Sequence, residues 1–250
     1  MTDTPVRIGI VGAGHVGATT AYALLLSGVA AELVLIDEDR RRANGEAMDL
    51  NHAAPFAHPT RIWAGDYADL HGALVTIVAA GVGQRPGETR LDLLHRNAHV
   101  FRDVVPQIVA SNPDGLLLIA TNPVDVLSYF AWKLSGRPAH QVIGSGTILD
   151  TARFRHLLGQ HYGVDPTSVH GYIIGEHGDS ELPVWSLTNI AGVDLRTYVA
   201  SRGETYDDAA MQRIFEQTRD AAYAIVQGKG ATYYAVAAGL VQIVAAIVRN

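Results

Sequence analysis

Residues 6–17 constrain what this chain can fold into more than any other stretch. Residues 6–11 form a short β-branched run, which reads as a buried strand. It leads directly into Gly12-Ala13-Gly14-His15-Val16-Gly17, and an apolar stretch with helical character follows over 18–26. A second apolar run, 32–36, ends at Asp37, twenty residues beyond Gly17. Strand, glycine turn, helix, strand and acid together make the context in which G-x-G-x-x-G binds a dinucleotide. The first glycine permits the turn, the second lets backbone approach a pyrophosphate, and the third lets the helix sit close on the sheet. The helix N-terminus favours the phosphate charge. Asp37 suits ribose hydroxyls and repels a 2′-phosphate, so the expected cofactor is NAD rather than NADP. Of the basic run Arg40-Arg41-Arg42, only Arg42 is assigned to the cofactor; the rest read as a solvated helix start.

Composition narrows the class. The chain has 250 residues, 48% hydrophobic and 18% charged, enough for one large domain or two moderate ones. Net charge is −6, without the basic stripe of a nucleic-acid binder. There is no cysteine, which excludes disulfides, thiolate catalysis and cysteine-held zinc; no metal site is expected. The N-terminal residues lack a basic start followed by a long apolar run, so no signal peptide is expected. The apolar segment 231–248 approaches the length of a membrane span, but Thr232, Tyr233, Tyr234 and Gln242 interrupt it. It reads as a buried helix, and a cytoplasmic location without membrane partners is expected.

The rest of the first half continues the alternation of strands and helices. Residues 61–64, 74–80, 115–120 and 141–144 read as further strands. The strand 74–80 ends at Gly81-Val82-Gly83, where strand ends line a cofactor crevice in a doubly wound sheet. The polar loop Gln84-Arg85-Pro86-Gly87-Glu88-Thr89-Arg90 precedes a helix over 91–110 and suits a closing lid. Arg90 would bring positive charge into the closed site; the plainer reading pairs it with Asp92 or Glu88. Asn122, in Thr121-Asn122-Pro123-Val124-Asp125, either contacts a substrate oxygen or caps the following helix, and both readings stand together. A cis bond before Pro123 is compatible with this turn.

The second half holds the chemistry. A helix is expected over 148–160, with Asp150 and Arg153 three residues apart on one face. Either they form a salt bridge, or each has its own partner: Arg153 a substrate carboxylate, Asp150 a histidine. That histidine is His177, set between glycines in Gly175-Glu176-His177-Gly178-Asp179-Ser180-Glu181. An imidazole exchanges protons near neutral pH, and a carboxylate behind it fixes the tautomer and favours the imidazolium.

These motifs, in this order, closely resemble those of bacterial L-lactate dehydrogenases within the lactate/malate dehydrogenase family, and the likeness covers essentially the whole chain. The resemblance implies an α/β protein: a Rossmann domain over 1–144, then a smaller mixed substrate domain over 145–250. It implies reversible hydride transfer between NADH with pyruvate and L-lactate with NAD, as in fermentative glycolysis. In that reading His177 is the acid/base, Asp150 its support, Arg153 the carboxylate anchor and Arg90 the lid residue that polarises the carbonyl. Asn122 and Thr232 line the substrate pocket, while Gly12, Gly14, Val16, Gly17, Asp37, Arg42, Tyr67, Gly81, Val82, Asn122 and Ser145 meet the cofactor. Gln84 occupies the position at which related malate dehydrogenases carry arginine, and a neutral side chain there offers nothing to a second carboxylate. Arg155 and His170 match residues that bind fructose 1,6-bisphosphate between subunits, and the resemblance suggests a homotetramer. Gly83 stands where asparagine often precedes the lid glutamine.

Family members usually continue beyond the last helix here, so the sequence reads as C-terminally shortened, with apolar surface expected to be bare on 231–248. The alternatives are a malate or other 2-hydroxy acid dehydrogenase, and a fragment that binds NAD without turnover.

Overall fold

The computed structural model describes residues 5–83 and 87–249, without the side chain of Arg90. Six parallel strands build the first unit's sheet: β1 (Arg7–Val11), β2 (Glu32–Ile36), β3 (Arg61–Ala64), β4 (Val75–Val78), β5 (Leu116–Ile119) and β6 (Val142–Gly144). Their order is β3-β2-β1-β4-β5-β6, so the chain reverses its direction of travel between β1 and β4. The central strands β1, β2, β4 and β5 are almost uniformly buried because helices cover both faces, the reason they read as continuous apolar runs, while the edge strands β3 and β6 are only partly buried. Helix α1 (His15–Ser27) and α2 (Arg40–Ala53) belong to one apolar cluster with Ile8, Ile10, Leu33 and Ile77. On the other side, α3 (Arg90–Ser111) and α4 (Val124–Ser135) supply Phe101, Val105, Ile108 and Leu127 to a second cluster with Val78, Leu117 and Ile119.

The second unit comprises residues 146–232. It contains α5 (Ile148–Tyr162), the short strands β7 (Val169–His170), β8 (Ile173–Ile174), β9 (Leu182–Pro183), β10 (Asn189–Ile190) and β11 (Val193–Asp194), then α6 (Leu195–Ser201) and α7 (Asp208–Lys229). β8 and β9 form an antiparallel pair whose loop carries His177, and β7, β10 and β11 form a separate antiparallel sheet. Phe154, Leu158, Ile190, Met211 and Ile214 make this unit's own core.

The last helix, α8 (Tyr234–Arg249), which the sequence reading grouped with the second half, packs apart from it in the chain's compact units. It packs in the first unit, which therefore spans residues 1–145 and 233–250. The cause is a match of two buried stripes. α8 buries Ala237, Leu240, Val241, Val244 and Ala245, and α1 buries Gly17, Thr20, Ala21, Leu24 and Leu25, each at i, i+3, i+4, i+7, i+8 spacing. Small residues on both faces let the helices approach. Its outward positions are chiefly Ala235, Ala238, Gln242 and Ala246 with Tyr234, so the exposed side of α8 is largely apolar but, Tyr234 and Gln242 apart, made of small residues. Among the described residues, no helix is long and apolar enough to cross a membrane.

Candidate active site

A cleft of about 430 Å³ opens in the first unit beside the carboxyl ends of β1 and β4, the point where strand order reverses. Gly12 turns at φ +99°, and a Cβ there would fall 2.4 Å from Ala80 N, so only glycine lets the two strand ends meet. A Cβ on Gly17 would sit 1.8 Å from Gly12 O, which fixes how closely α1 enters behind the turn. Gly14 differs: space around it is open for 4 Å, and as N-cap of α1 it leaves the first helical amides without a side-chain cap. Open space over uncapped amides fits a pyrophosphate. Asp37 is anchored at the cleft wall, with Oδ2 accepting from Ala13 N at 2.7 Å and Oδ1 from Asp39 N at 2.9 Å. Arg42 Nη1 stands 3.7 Å from Asp37 Oδ1.

Of the cofactor positions read from the sequence, Gly12, Gly14, Asp37, Arg42, Tyr67, Gly81 and Val82 line this cleft; Val16, Gly17, Asn122 and Ser145 do not. Gly17 lies beneath the turn, and Ser145 N extends the sheet by donating to Ile119 O. The sequence reading missed Val100, Asp103, Val104 and Gln107, which also line the cleft. Their i, i+3, i+4, i+7 spacing on α3 was the available signal. It also missed Asn97, which is buried and ties two strand ends together. Asn97 Oδ1 accepts from Val82 N at 2.7 Å, and Nδ2 donates to Asn122 O at 2.8 Å. Asn122 follows β5 and takes the helix-start role in part: Oδ1 accepts from Val124 N at 3.3 Å, and its Nδ2 has no partner among the described residues. The Asn122–Pro123 bond is cis.

The chemistry gathers in the second unit. Thr147 Oγ1 donates to Ile173 O at 2.7 Å, and Thr151 Oγ1 accepts from Ile173 N at 3.0 Å. These bonds fasten the first turns of α5 to β8. The loop leaving β8 turns at Gly175 (φ +94°) and Gly178 (φ +122°), conformations that suit glycine, and His177 lies between them. His177 Nδ1 comes to 2.5 Å from Asp150 Oδ2. Arg153 Nη1 donates to Asp150 Oδ1 at 3.1 Å, so one carboxylate serves both groups. Asp150 is 1% exposed, and a charge so buried is tolerated because both oxygens are paired.

The electrostatics follow from these contacts. The hydrogen bond that His177 Nδ1 donates to Asp150 holds the His177 pKa above the ordinary imidazole value, outweighing burial, which opposes it. Burial lowers the Arg153 pKa, countered by Asp150 and Glu181. Arg153 Nη2 is buried and makes no hydrogen bond among the described residues. A buried guanidinium N–H without an acceptor is costly, and a substrate carboxylate would supply that acceptor. Glu181, named at sequence level only as the end of the loop, is also buried here.

The remaining candidates are scattered. Gln84 and the side chain of Arg90 lie outside the described residues. Among the described residues, Glu88 pairs with Arg96 at 3.1 Å and Asp92 forms a capping box with Thr89. Thr232 is half-buried between α7 and α8. Arg155 donates from Nε to Gly171 O at 3.1 Å and lies over the Tyr172 ring, while His170 is exposed.

Comparison with known proteins places this arrangement. Residues 6–144 match the family model "lactate/malate dehydrogenase, NAD binding domain", and 147–250 match "lactate/malate dehydrogenase, alpha/beta C-terminal domain". The second match includes α8, which packs on the first unit. An L-lactate dehydrogenase of Thermus aquaticus is 58% identical, over 98% of this chain and 79% of its own length. A probable L-lactate dehydrogenase of Schizosaccharomyces pombe is 55% identical, over 98% of this chain and 74% of its own. The crystal structure of a lactate dehydrogenase from a deep-sea metagenome superposes with a TM-score of 0.94 at 46% identity, covering 98% of this chain and 78% of that one. With the parallel sheet, the cleft at its switch point and the Asp150–His177–Arg153 cluster, these matches establish that the chain belongs to the lactate/malate dehydrogenase family.

Proposed function

We propose that this protein is an NAD-dependent L-lactate dehydrogenase in which His177 is the acid/base and Arg153 the carboxylate anchor. The observation that carries the reading is the shared carboxylate of Asp150, which orients an imidazole and a guanidinium together, with the buried Arg153 Nη2 left without an acceptor among the described residues. When bound, NADH supplies the hydride. Arg153 would grip the carboxylate of pyruvate in a two-point contact. With Nδ1 held by Asp150, the exchangeable proton of His177 is on Nε2, which passes it to the substrate's carbonyl oxygen. Asp150 stabilises the imidazolium before the transfer and fixes the tautomer after it. Arg90 would polarise the carbonyl, and Asn122 and Thr232 would complete the pocket. In the cofactor cleft, the amides at the start of α1 would hold the pyrophosphate and Asp37 the ribose hydroxyls.

The test is NADH oxidation with pyruvate and with oxaloacetate. Pyruvate is expected to be the better substrate by a wide margin; NADH binding without turnover of either overturns the reading. Gln84→Arg is expected to raise kcat/KM for oxaloacetate by about 10²-fold, since a cation would then partner the second carboxylate. No gain would sink the substrate assignment of Gln84.

The proposal extends to assembly and control. A homotetramer in the cytoplasm is expected, with fructose 1,6-bisphosphate held between subunits by Arg155 and His170. Saturating sugar bisphosphate is expected to shift the pyruvate saturation curve to lower concentration, and Arg155→Ala is expected to abolish the shift. A curve unmoved across pH 6–8 removes the regulatory part of the proposal while leaving the catalytic part standing.

A further inference from the structure

Behind the His177 loop lies a carboxyl group for which the mechanism above has no use. Glu181 ends the turn that closes on Gly178, with its N–H donating to Gly178 O at 3.2 Å, and β9 begins at the next residue. It is 2% exposed, and neither carboxylate oxygen has a hydrogen-bond partner among the described residues. Ligand atoms of Glu181, Asp150 and His177 lie within 4.8 Å of one another. A buried carboxyl without partners is costly. A residue that served only to fill space would be better apolar.

We propose that Glu181 is a positioning residue for the reaction: its carboxyl, sealed beneath the loop, acts through Arg153 and His177 to set how firmly the substrate carboxylate is held and at what pH the imidazole releases its proton. The inference rests on the roles proposed above for those two residues. The charged and titratable groups acting on this carboxyl are Asp150 and Arg153 from α5 and His177 from the loop. Burial and the negative Asp150 push its pKa up to about 7, against Arg153, His177 and the nearby Gly178 amide, which pull it down. Glu181 therefore changes charge in the range where the enzyme would work. Ionised, it favours the imidazolium and competes with substrate for Arg153; protonated, it does neither.

The three groups also have the spacing of cation ligands. Both oxygens of Asp150 are, however, engaged by Arg153 and His177, so a cation would have to displace a guanidinium.

The test is Glu181→Gln in the full chain, with NADH binding as the check on folding. The upper pH limb of kcat/KM for pyruvate reports loss of the His177 proton. In the variant it is expected to move about one pH unit to lower pH, because a negative charge that favours the imidazolium is gone. KM for pyruvate at pH 8 is expected to fall severalfold, because Arg153 loses an internal competitor. A profile and KM that superimpose on the parent's overturn the proposal. Glu181→Asp, which keeps the charge, is expected to keep the limb near its parental position; a limb displaced as far as in the glutamine variant also overturns it. Should the parent turn over no pyruvate, the function proposed above fails, but proton NMR titration of the His177 ring still decides this inference. A His177 pKa equal in parent and glutamine variant would refute it.

Discussion

Replacing His177 with alanine is expected to lower kcat/KM for pyruvate by about 10²–10⁴-fold, the range typical of a positioned general acid. NADH affinity is expected to stay at the parental level, because the cleft that would hold the dinucleotide is lined by first-unit residues such as Gly12, Gly14 and Asp37. The imidazole needs its proton for pyruvate reduction and must lack it for lactate oxidation. The hydrogen bond to Asp150 raises its pKa, so reduction should persist to higher pH than an unperturbed histidine would allow, and oxidation should begin at correspondingly higher pH. Measuring kcat/KM in both directions from pH 5 to 10 checks this sign. A variant that retains near-parental turnover, or parental limbs that coincide with an unperturbed imidazole, would remove His177 from the reaction.

The second large effect belongs to Arg153. Arg153→Ala removes a charged two-point contact to the substrate, with each hydrogen bond to a charged group contributing about 1.5–3 kcal/mol. The pyruvate KM should therefore rise by about 10²–10⁴-fold, again with NADH binding retained. Arg153→Lys should recover little of this, since a point charge lacks the planar fork. The variant has a second signature. Arg153 lowers the His177 pKa from across the shared carboxylate, so its removal should move the imidazole limb to higher pH. Glu181→Gln should move it the other way. Opposite displacements from two neighbours of one imidazole would be hard to produce by general loosening of the site. Equal displacements would argue that both substitutions merely disturb packing.

The legible part of this protein is local. The strand–turn–helix at residues 7–27 can be read from spacing: Gly17 answers to a contact within a few residues, against Gly12 O, although Gly12 itself answers to Ala80 on the neighbouring strand. The buried strands could be found because helices on both faces leave no polar alternation to confuse them. His177 was recognisable from its flanking glycines, which adopt positive φ. Asp150 and Arg153 were placed on one face by helical periodicity alone, but the sequence left open whether they paired with each other or with separate partners. The structure answers that Asp150 pairs with both residues, through different oxygens.

Sequence by itself thus determined the elements and the glycine turn and singled out the candidate side chains His177, Asp150 and Arg153, because short-range sterics and apolar period mark those. Tertiary structure alone decided the rest. It sent α8 back to α1 because two apolar stripes of matching period meet, it used Asn97 to tie the segments that follow β4 and β5, and it buried the Glu181 carboxylate near Asp150 with no hydrogen-bond partner among the described residues. Each of these depends on which surfaces meet across long separations in the chain. Burial and charge coupling arise only from such meetings, and residue spacing carries no record of them.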